Sequence, residues 1–383
     1  MSTNPPQRLR YLDQFRGYTV FGMIVVNYLG LFNKQIHPIF HHHNTYCSYA
    51  DTIMPQFFFA VGFALRFTMV KRLQTEGWWP AHGRLIKRVF GLLLIAALVH
   101  GFDNANLNWA ALQEKGFFVW LENTCSRNFF QTLTHIAVTT LWVIPVISQS
   151  WLVRLLWLVA SAWLHVVLSQ EFYLQYALTR PVIDGGPLGF LTWTIPVLAG
   201  TFASDFLTRP GVQGVFGKLL AASLVVMALG YGLSCLRDPS ALPQDEPYFS
   251  WKAPPFLPPW DKNNPDATYE QRHNLDRKQT VKLWTMSQQT GAVSYLVFGT
   301  GVSLLVLALC WLIFQNWEIG LFRTLGSNAL IAYIVHGMAI DAVVKLIPRD
   351  GPLWVVLLGL AIVMGITWLV CRSLEKKGWY VKV

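Results

Sequence analysis

Long apolar runs separated by short polar stretches recur along almost the whole chain. An α-helix needs about 20 mostly apolar residues to cross the hydrocarbon core of a bilayer, and each run approaches that length. The runs predict ten transmembrane helices, at residues 16–33, 51–70, 86–102, 131–148, 151–168, 188–206, 215–235, 290–314, 324–347 and 352–372. The sequence therefore predicts an all-α fold, a polytopic bundle of about ten transmembrane helices forming a single domain over residues 1–383.

Two segments depart from this pattern. Residues 105–121 are apolar but short and mixed, which favours a helix lying in the membrane interface over an eleventh span. Residues 236–289 form the one long polar connection, and eight of the chain's 20 Pro lie between 239 and 265. Because Pro removes a backbone donor and fixes φ, we expect an extended, turn-rich loop on the outer side. A mobile linker and a lid over an outer-facing site are both consistent with this composition.

The distribution of charge supports this topology. Only 13% of the residues are charged, whereas a soluble domain carries roughly 25%. With the N-terminus inside, most Lys and Arg outside the long loop flank the spans on the cytoplasmic side, as the positive-inside rule requires. Both termini are therefore predicted in the cytoplasm, at a bacterial inner membrane or its equivalent. The net charge of +10 belongs to these flanks and accompanies no recognised nucleic-acid-binding module, so we expect no nucleic-acid partner.

The five Cys stand at positions 47, 125, 235, 310 and 371 without CxxC spacing, which argues against a structural zinc site or a redox motif. Cys47, Cys125 and Cys235 fall on the predicted outer side, so one disulfide among them stays open.

Polar and titratable residues are concentrated between the first and second predicted spans. They are Asn27, His37, His41, His42, His43 and Asp51. Ionisable groups near a membrane interior are costly and mark functional sites. A neutral His can act as a general base near neutral pH, and Asp51 can orient an imidazole or simply cap its helix. Binding of zinc or copper is an alternative, but three consecutive His cannot all point at one ion from a regular backbone, and we predict no metal.

Two further clusters carry candidate chemistry. Cations before the first span and between the second and third are explained largely by topology, yet they would also suit the phosphates of coenzyme A. The candidates for binding this donor are Arg10, Arg16, Arg84 and Arg88. In the ninth predicted span, Asn328 and His336 are eight residues apart and would share a helix face. They are candidates for substrate binding, although polar side chains in a span also hold helices together.

Several motifs resemble the heparan-α-glucosaminide N-acetyltransferase family. They are R-Y-L-D-Q-F-R-G at Arg10–Gly17, the Asn of VVN at Asn27, His…A-D…P-x-F-x-F-x-x-G across His41–Gly62, R-x-x-x-R at Arg84–Arg88, D-G-G-P-L-G at Asp184–Gly189 and G-S-N-A-L-I-A-Y-I-V-H at Gly326–His336. This resemblance implies a multi-pass enzyme that takes an acetyl group from cytosolic acetyl-CoA and transfers it to a glycan amine across the membrane.

The resemblance also implies roles for individual residues. An Asn in the first span and a His before the second form the family's catalytic pair, and these map to Asn27 and His41. The interval between the two is about three residues longer here, so His42 and His43 stay open for the role. The family's Leu-Gln-Arg-Ile stretch appears as Leu133-Thr134-His135-Ile136, which leaves the acceptor undefined.

We therefore expect a transmembrane acyltransferase that moves acetyl from acetyl-CoA to a sugar amine or hydroxyl on the outer side. Its partners would be the donor, a glycan or amino-sugar acceptor and membrane lipid, with a homodimer left open. A multi-pass transporter lining its pathway with the same polar residues is the main alternative, and a membrane protein that kept the fold without the chemistry is the second.

Overall fold

The computed structural model describes residues 9–32, 36–103, 108–237, 248–249, 251 and 281–380. All regular structure within these residues is helical, and an isolated antiparallel bridge joins Leu236 to Phe249. Most of the predicted outer loop at 236–289, including almost all of its Pro-rich part, lies outside the described residues.

A helix occupies each of the ten predicted spans. The helices are α1 (Arg10–Leu29), α2 (Tyr49–Glu76), α3 (Trp78–His100), α4 (Trp109–Lys115), α5 (Phe117–Thr124), α6 (Thr132–Val143), α7 (Trp151–Leu168), α8 (Leu174–Thr179), α9 (Phe190–Leu207), α10 (Val215–Ser234), α11 (Val293–Ile313), α12 (Gly320–Ser327), α13 (Ala329–Val343) and α14 (Leu353–Lys376). Short 3₁₀ turns cover Pro38–Phe40 and Gly186–Leu188, and a π-helical turn, Ser169–Tyr173, joins α7 to α8.

Six of these helical segments are long and apolar enough to cross a membrane, namely α2, α7 through α8, α9 with its preceding turn, α10, α11 and α14. The bent pair of α12 and α13 would make a seventh. Helices α1 and α3 have sufficient length, but charged residues lie in the first half of each, and α6 has only 12 residues. The chain is thus a multi-pass integral membrane protein, while the count of ten spans and the orientation of the termini stay predictions.

The structure corrects two local predictions. The segment at 324–347 is not one helix, because α12 and α13 meet at an angle of 98° at Asn328. Asn328 has φ −126° and ψ 46°, outside the helical region, and a short polar side chain competes with the helix for backbone partners. The proposed interfacial helix at 105–121 is two short helices, α4 and α5, separated by Gly116 at φ 80°. All five cysteines are free thiols.

Glycine allows the central helices to approach closely. A Cβ on Gly62 of α2 would lie 1.8 Å from the carbonyl oxygen of Val197 in α9, and one on Gly200 would lie 2.1 Å from that of Phe59. The same kind of contact joins α1 to α12, where Gly17 faces the Phe322 carbonyl. Small residues at such crossings are typical of membrane helix packing, where close van der Waals contact substitutes for the hydrophobic effect.

The antiparallel packing of α1 and α2 defines the two ends of the bundle. The ring of Phe15 contacts that of Phe59, with centroids 5.9 Å apart, and seven residues later Gly22 faces Ile53. We call the end that contains the start of α1 the arginine end, because Arg16, Arg66 and Arg88 lie toward it. The opposite end, which contains the loop at 41–48 and the start of α2, is called the histidine end.

Candidate active site

A His–Asp pair is formed at the histidine end. The Nδ1 atom of His42 lies 2.9 Å from Oδ1 of Asp51. A carboxylate only accepts hydrogen bonds, so Nδ1 carries the hydrogen and Nε2 keeps its lone pair. The Asp51 side chain is fully buried, whereas 45% of the His42 side chain is accessible. One nitrogen of this imidazole is therefore held by the buried carboxylate of Asp51, while part of the ring remains accessible.

Asp51 is fixed by the first turn of α2. Ser48 is the N-cap: its hydroxyl accepts from the Asp51 backbone N–H, and the Ser48 backbone N–H donates to Asp51 Oδ2 at 2.9 Å. This reciprocal arrangement is a capping box. From α11, the Tyr295 hydroxyl donates to the Asp51 carbonyl oxygen at 2.7 Å. Asp51 thus performs both roles considered from the sequence, because it caps its helix and orients an imidazole.

The neighbouring histidines occupy different positions. His43 is buried and stacked on Tyr46, and its Nε2 atom lies 2.9 Å from the Pro38 carbonyl and 2.6 Å from the Tyr46 hydroxyl. His41 is buried as well, and its carbonyl accepts from Ser48. His37 is exposed and caps the short 3₁₀ turn. Of the three histidines left open for the catalytic role, the structure pairs His42 with Asp51.

A second carboxylate near His42 was missed as a site residue in the sequence. Asp184 is buried, its Oδ1 atom accepts from Gln288 Nε2 at 2.8 Å, and its carbonyl accepts from the Trp193 indole at 2.7 Å. Its φ of 56° is the only positive value for a non-glycine residue among those described. Such backbone strain persists only where surrounding contacts enforce it, and it is common at functional sites. The sequence contained one signal that could have pointed to Asp184, because this Asp stands directly before two Gly in an otherwise apolar region.

Three loops meet around these carboxylates. Asn44 Oδ1 accepts from the Ser287 hydroxyl at 3.2 Å and from the Gln289 backbone at 3.1 Å, and Gln288 of the same loop binds Asp184. These contacts join the described last part of the predicted outer loop to the histidine loop.

The two carboxylates also affect pKa values at the histidine end. Burial works to lower the pKa of His42, but the hydrogen bond and charge of Asp51, with the charge of Asp184, raise it above its ordinary value. Burial raises the pKa of Asp184 to about 6, against the opposing effects of Gln288 and His42.

Asn27 and His336 also meet, on α1 and α13. His336 Nδ1 lies 3.2 Å from the Ala332 carbonyl, so it carries the hydrogen, and Nε2 accepts from Asn27 Nδ2 at 3.1 Å. His336 is buried, while Asn27 is exposed although it belongs to a central helix. Asn328, expected on the same helix face as His336, instead lies at the break before α13 and is buried.

A cavity of about 110 Å³ lies inside the bundle toward the arginine end. Its lining includes Arg16 and Arg88 together with Thr132 and Tyr333, and the rest is mostly apolar. Two of the four candidate arginines therefore converge. Arg10 is exposed at the start of α1, and Arg84 forms an ion pair with Glu76 at 3.0 Å outside the cavity lining.

The chemistry of these residues suits transfer of a group between two substrates. A basic nitrogen backed by a carboxylate can accept a proton from a nucleophile, and guanidinium groups bind phosphates. Among the residues that the structure describes, no group of three or more His, Cys, Asp or Glu side chains is arranged to hold a metal ion.

A family model described as an acyltransferase domain matches residues 9–372. The chain belongs to the acyltransferase 3 family. This family consists of multi-pass membrane acyltransferases, in agreement with the apolar helices of the bundle. Comparison with curated proteins finds no match. Membership supports acyltransferase chemistry, which the transporter alternative lacks. Family membership does not show the narrower resemblance to heparan-α-glucosaminide N-acetyltransferases, and it does not identify the donor or the acceptor.

Proposed function

We propose that this acyltransferase moves an acetyl group from cytoplasmic acetyl-CoA to a sugar hydroxyl or amine on the outer side of the membrane. The observation that carries the proposal is the cavity, which has Arg16 and Arg88 in its lining and extends to Thr132 and Tyr333. The positive residues suit the phosphates of the donor, and the apolar middle suits its pantetheine arm.

The spacing of two lining residues, Arg88 and Tyr333, agrees with this donor. Arg88 and His100 belong to α3 and are separated by about 18 Å at 1.5 Å per residue. The His100 Nε2 atom lies 3.0 Å from the Tyr333 hydroxyl. The interval along the bundle between Arg88 and the Tyr333 hydroxyl is thus comparable to an extended pantetheine arm. With the pyrophosphate near Arg16 and Arg88, the thioester would lie near Tyr333.

The same end of the cavity is level with the His–Asp pair. Since Gly22 faces Ile53, Asp51 lies beside about residue 24 of α1, roughly 12 Å along the bundle from Arg16. The Thr132 hydroxyl, at the cavity end, contacts the sulfur of Met54, one helical turn from Asp51. This proximity supports a reaction at the histidine end.

The proposed step uses His42 Nε2 as the base. The acceptor oxygen or nitrogen attacks the thioester carbonyl, and His42 takes the proton that the acceptor loses. Collapse of the tetrahedral intermediate breaks the C–S bond, and the His42 imidazolium returns the proton to the departing coenzyme A thiolate. Asp51 stabilises that imidazolium. Asn27 has a second amide N–H beyond the one donated to His336, and we assign it to the developing oxyanion.

The choice of acceptor follows from the charge of the histidine end. Asp51 and Asp184 make an anionic acceptor unfavourable there, so we favour a neutral or amino sugar over an acidic one. Transfer outward requires the predicted orientation, with the arginine end in the cytoplasm. The narrower likeness to heparan-α-glucosaminide N-acetyltransferases is consistent with this proposal.

Donor binding tests the proposal through two arginines one helical turn apart. The purified full-length protein in detergent would be titrated with radiolabelled acetyl-CoA, comparing Arg88→Ala with Arg84→Ala. Loss of a charged hydrogen bond costs about 1.5–3 kcal/mol, or about 10–100-fold in affinity. We expect that loss for Arg88→Ala and little change for Arg84→Ala, whose guanidinium is exposed and paired with Glu76. Absence of saturable binding to the wild type would contradict the donor assignment.

A further inference from the structure

The polar end of the cavity contains a hydroxyl that the proposed step leaves unused. Tyr333 of α13 lines the cavity, and its hydroxyl lies 3.0 Å from His100 Nε2 at the end of α3. The tyrosine ring also contacts the rings of His100 and His336, with centroids 5.8 Å and 5.5 Å away. Tyr333 is therefore fixed on two sides while one face borders the cavity.

The height of Tyr333 places it near the expected thioester. It precedes His336 by three residues, about 4.5 Å along α13, and His336 is hydrogen-bonded to Asn27. Tyr333 thus lies about one turn closer to the arginine end than Asn27, at the level of Asp51. A ligand entering from the arginine end would meet the tyrosine hydroxyl before the asparagine amide.

The hydrogen bond to His100 determines what the hydroxyl can do. When the hydrogen is on Nε2, His100 donates to the Tyr333 oxygen. The Thr132 hydroxyl, also in the cavity lining, donates to the same oxygen, and the tyrosine O–H is left to donate into the cavity. A donor held in this way needs no reorganisation when negative charge develops on a substrate oxygen, which is how oxyanion holes accelerate acyl transfer.

We propose that Tyr333 is a catalytic residue that donates a hydrogen bond to the thioester carbonyl oxygen, and that His100 is a positioning residue that holds its hydroxyl. The inference rests on the proposed function and deepens it. Tyr333 and Asn27 together form a two-donor oxyanion hole, and attack at the carbonyl carbon transfers charge to an oxygen that both contact. The bond changes of the transfer step are those given above.

Acetyl-CoA turnover tests this role with variants that preserve the ring. Removing one oxyanion donor costs roughly 10²–10³-fold in turnover, so Tyr333→Phe should lower kcat by about that factor and leave binding of a non-reactive thioether analogue of acetyl-CoA unchanged. Tyr28→Phe is the matched control, because that hydroxyl packs against α14 at Gly359 and does not line the cavity.

Variants of His100 separate positioning from packing. His100→Gln keeps an N–H that can reach Tyr333, so it should retain most of kcat. His100→Leu has no such donor, so its kcat should fall while its affinity for the analogue stays unchanged. Equal kcat in Tyr333→Phe and the wild type, with binding intact, would overturn the assignment of Tyr333 alone. Absence of analogue binding to the wild type would overturn the proposed function, and the role of Tyr333 with it.

Discussion

Asp51 and Asp205 lie at opposite ends of the bundle and have different partners. Asp205 accepts from Arg66 Nε at 2.8 Å and from Arg154, whose side chain is buried. Both guanidinium groups are held further, Arg66 by the Ile147 carbonyl and Arg154 by Thr201. Asp51 instead binds one imidazole and the N-cap of its own helix.

The contrast separates a carboxylate paired with arginines from a carboxylate paired with a histidine. Arginine stays protonated at any physiological pH, so the Asp205 network links α2, α7 and α9 without exchanging protons. Histidine titrates near neutral pH, and its partner fixes which nitrogen is free. The partly accessible imidazole of His42 therefore has a side chain that can exchange a proton near neutral pH, whereas the guanidinium groups of the Asp205 network cannot. A buried carboxylate alone is not evidence of an active site, since its partner decides the role.

The largest expected effect is on turnover in Asp51→Asn. The amide can still cap α2, so the fold should persist, but it no longer stabilises the His42 imidazolium or fixes its tautomer. General-base catalysis contributes roughly 10²–10⁴-fold, and we expect acetyl-CoA turnover to fall within that range. Turnover would be measured with radiolabelled acetyl-CoA, alongside the melting temperature. A large loss of stability with normal turnover per folded molecule would assign Asp51 to structure instead.

Asp205→Asn should show the opposite pattern. Removing the carboxylate leaves two guanidinium groups close together, and breaking one partner of a buried pair costs about 3–5 kcal/mol. Because Asp205 is partly exposed, we expect the lower part of that range, measured by denaturation in detergent. Turnover per folded molecule should stay near the wild-type value. Loss of turnover without loss of stability would show that the two carboxylates do not differ in the way described.

A smaller effect is expected on the pH profile. His42 must be neutral to act as a base, so turnover should rise with pH through the His42 pKa, with its midpoint above 6.5 because the shift is upward. Asp184→Asn removes a negative charge that contributes to this rise, so the midpoint should move to lower pH. The pKa of Asp184 is about 6, so its influence should be greatest above that pH. If the pH profiles of turnover coincide for the wild type and Asp184→Asn, the charge of Asp184 does not affect the pKa of His42.

Much of the fold could be predicted from the sequence, because hydrophobic length is a local property. Every predicted span contains a helix, yet the break at Asn328 was missed, since the Gly-Ser-Asn sequence at 326–328 does not by itself specify a 98° bend. Arg84 and Arg88 illustrate the same limit for the site. Both have the same residue type and similar flanks, and only the packing of α3 directs Arg88 into the cavity.

The residues of the candidate active site could be predicted from the sequence, but the way in which they pair could not. Asn27, Asp51 and the histidines were recognisable as costly polar groups near apolar spans, whereas family spacing pointed to His41. The conformation of the loop at 41–48, set by the capping box and by Tyr46, brings His42 to Asp51 instead. Asp184 and Gln288 could not be joined to the site, because they come from loops far apart in sequence.

The proposed role of the His42–Asp51 pair in acyl transfer is tested most directly by measuring acetyl-CoA turnover and analogue binding for His41→Ala, His42→Ala and His43→Ala in parallel. We predict that His42→Ala loses at least about 10²-fold in turnover with analogue binding retained, while the other two variants lose far less per folded molecule. Normal turnover in His42→Ala, with the loss in His41→Ala, would contradict this role of His42 and favour His41, the residue that the family spacing selects.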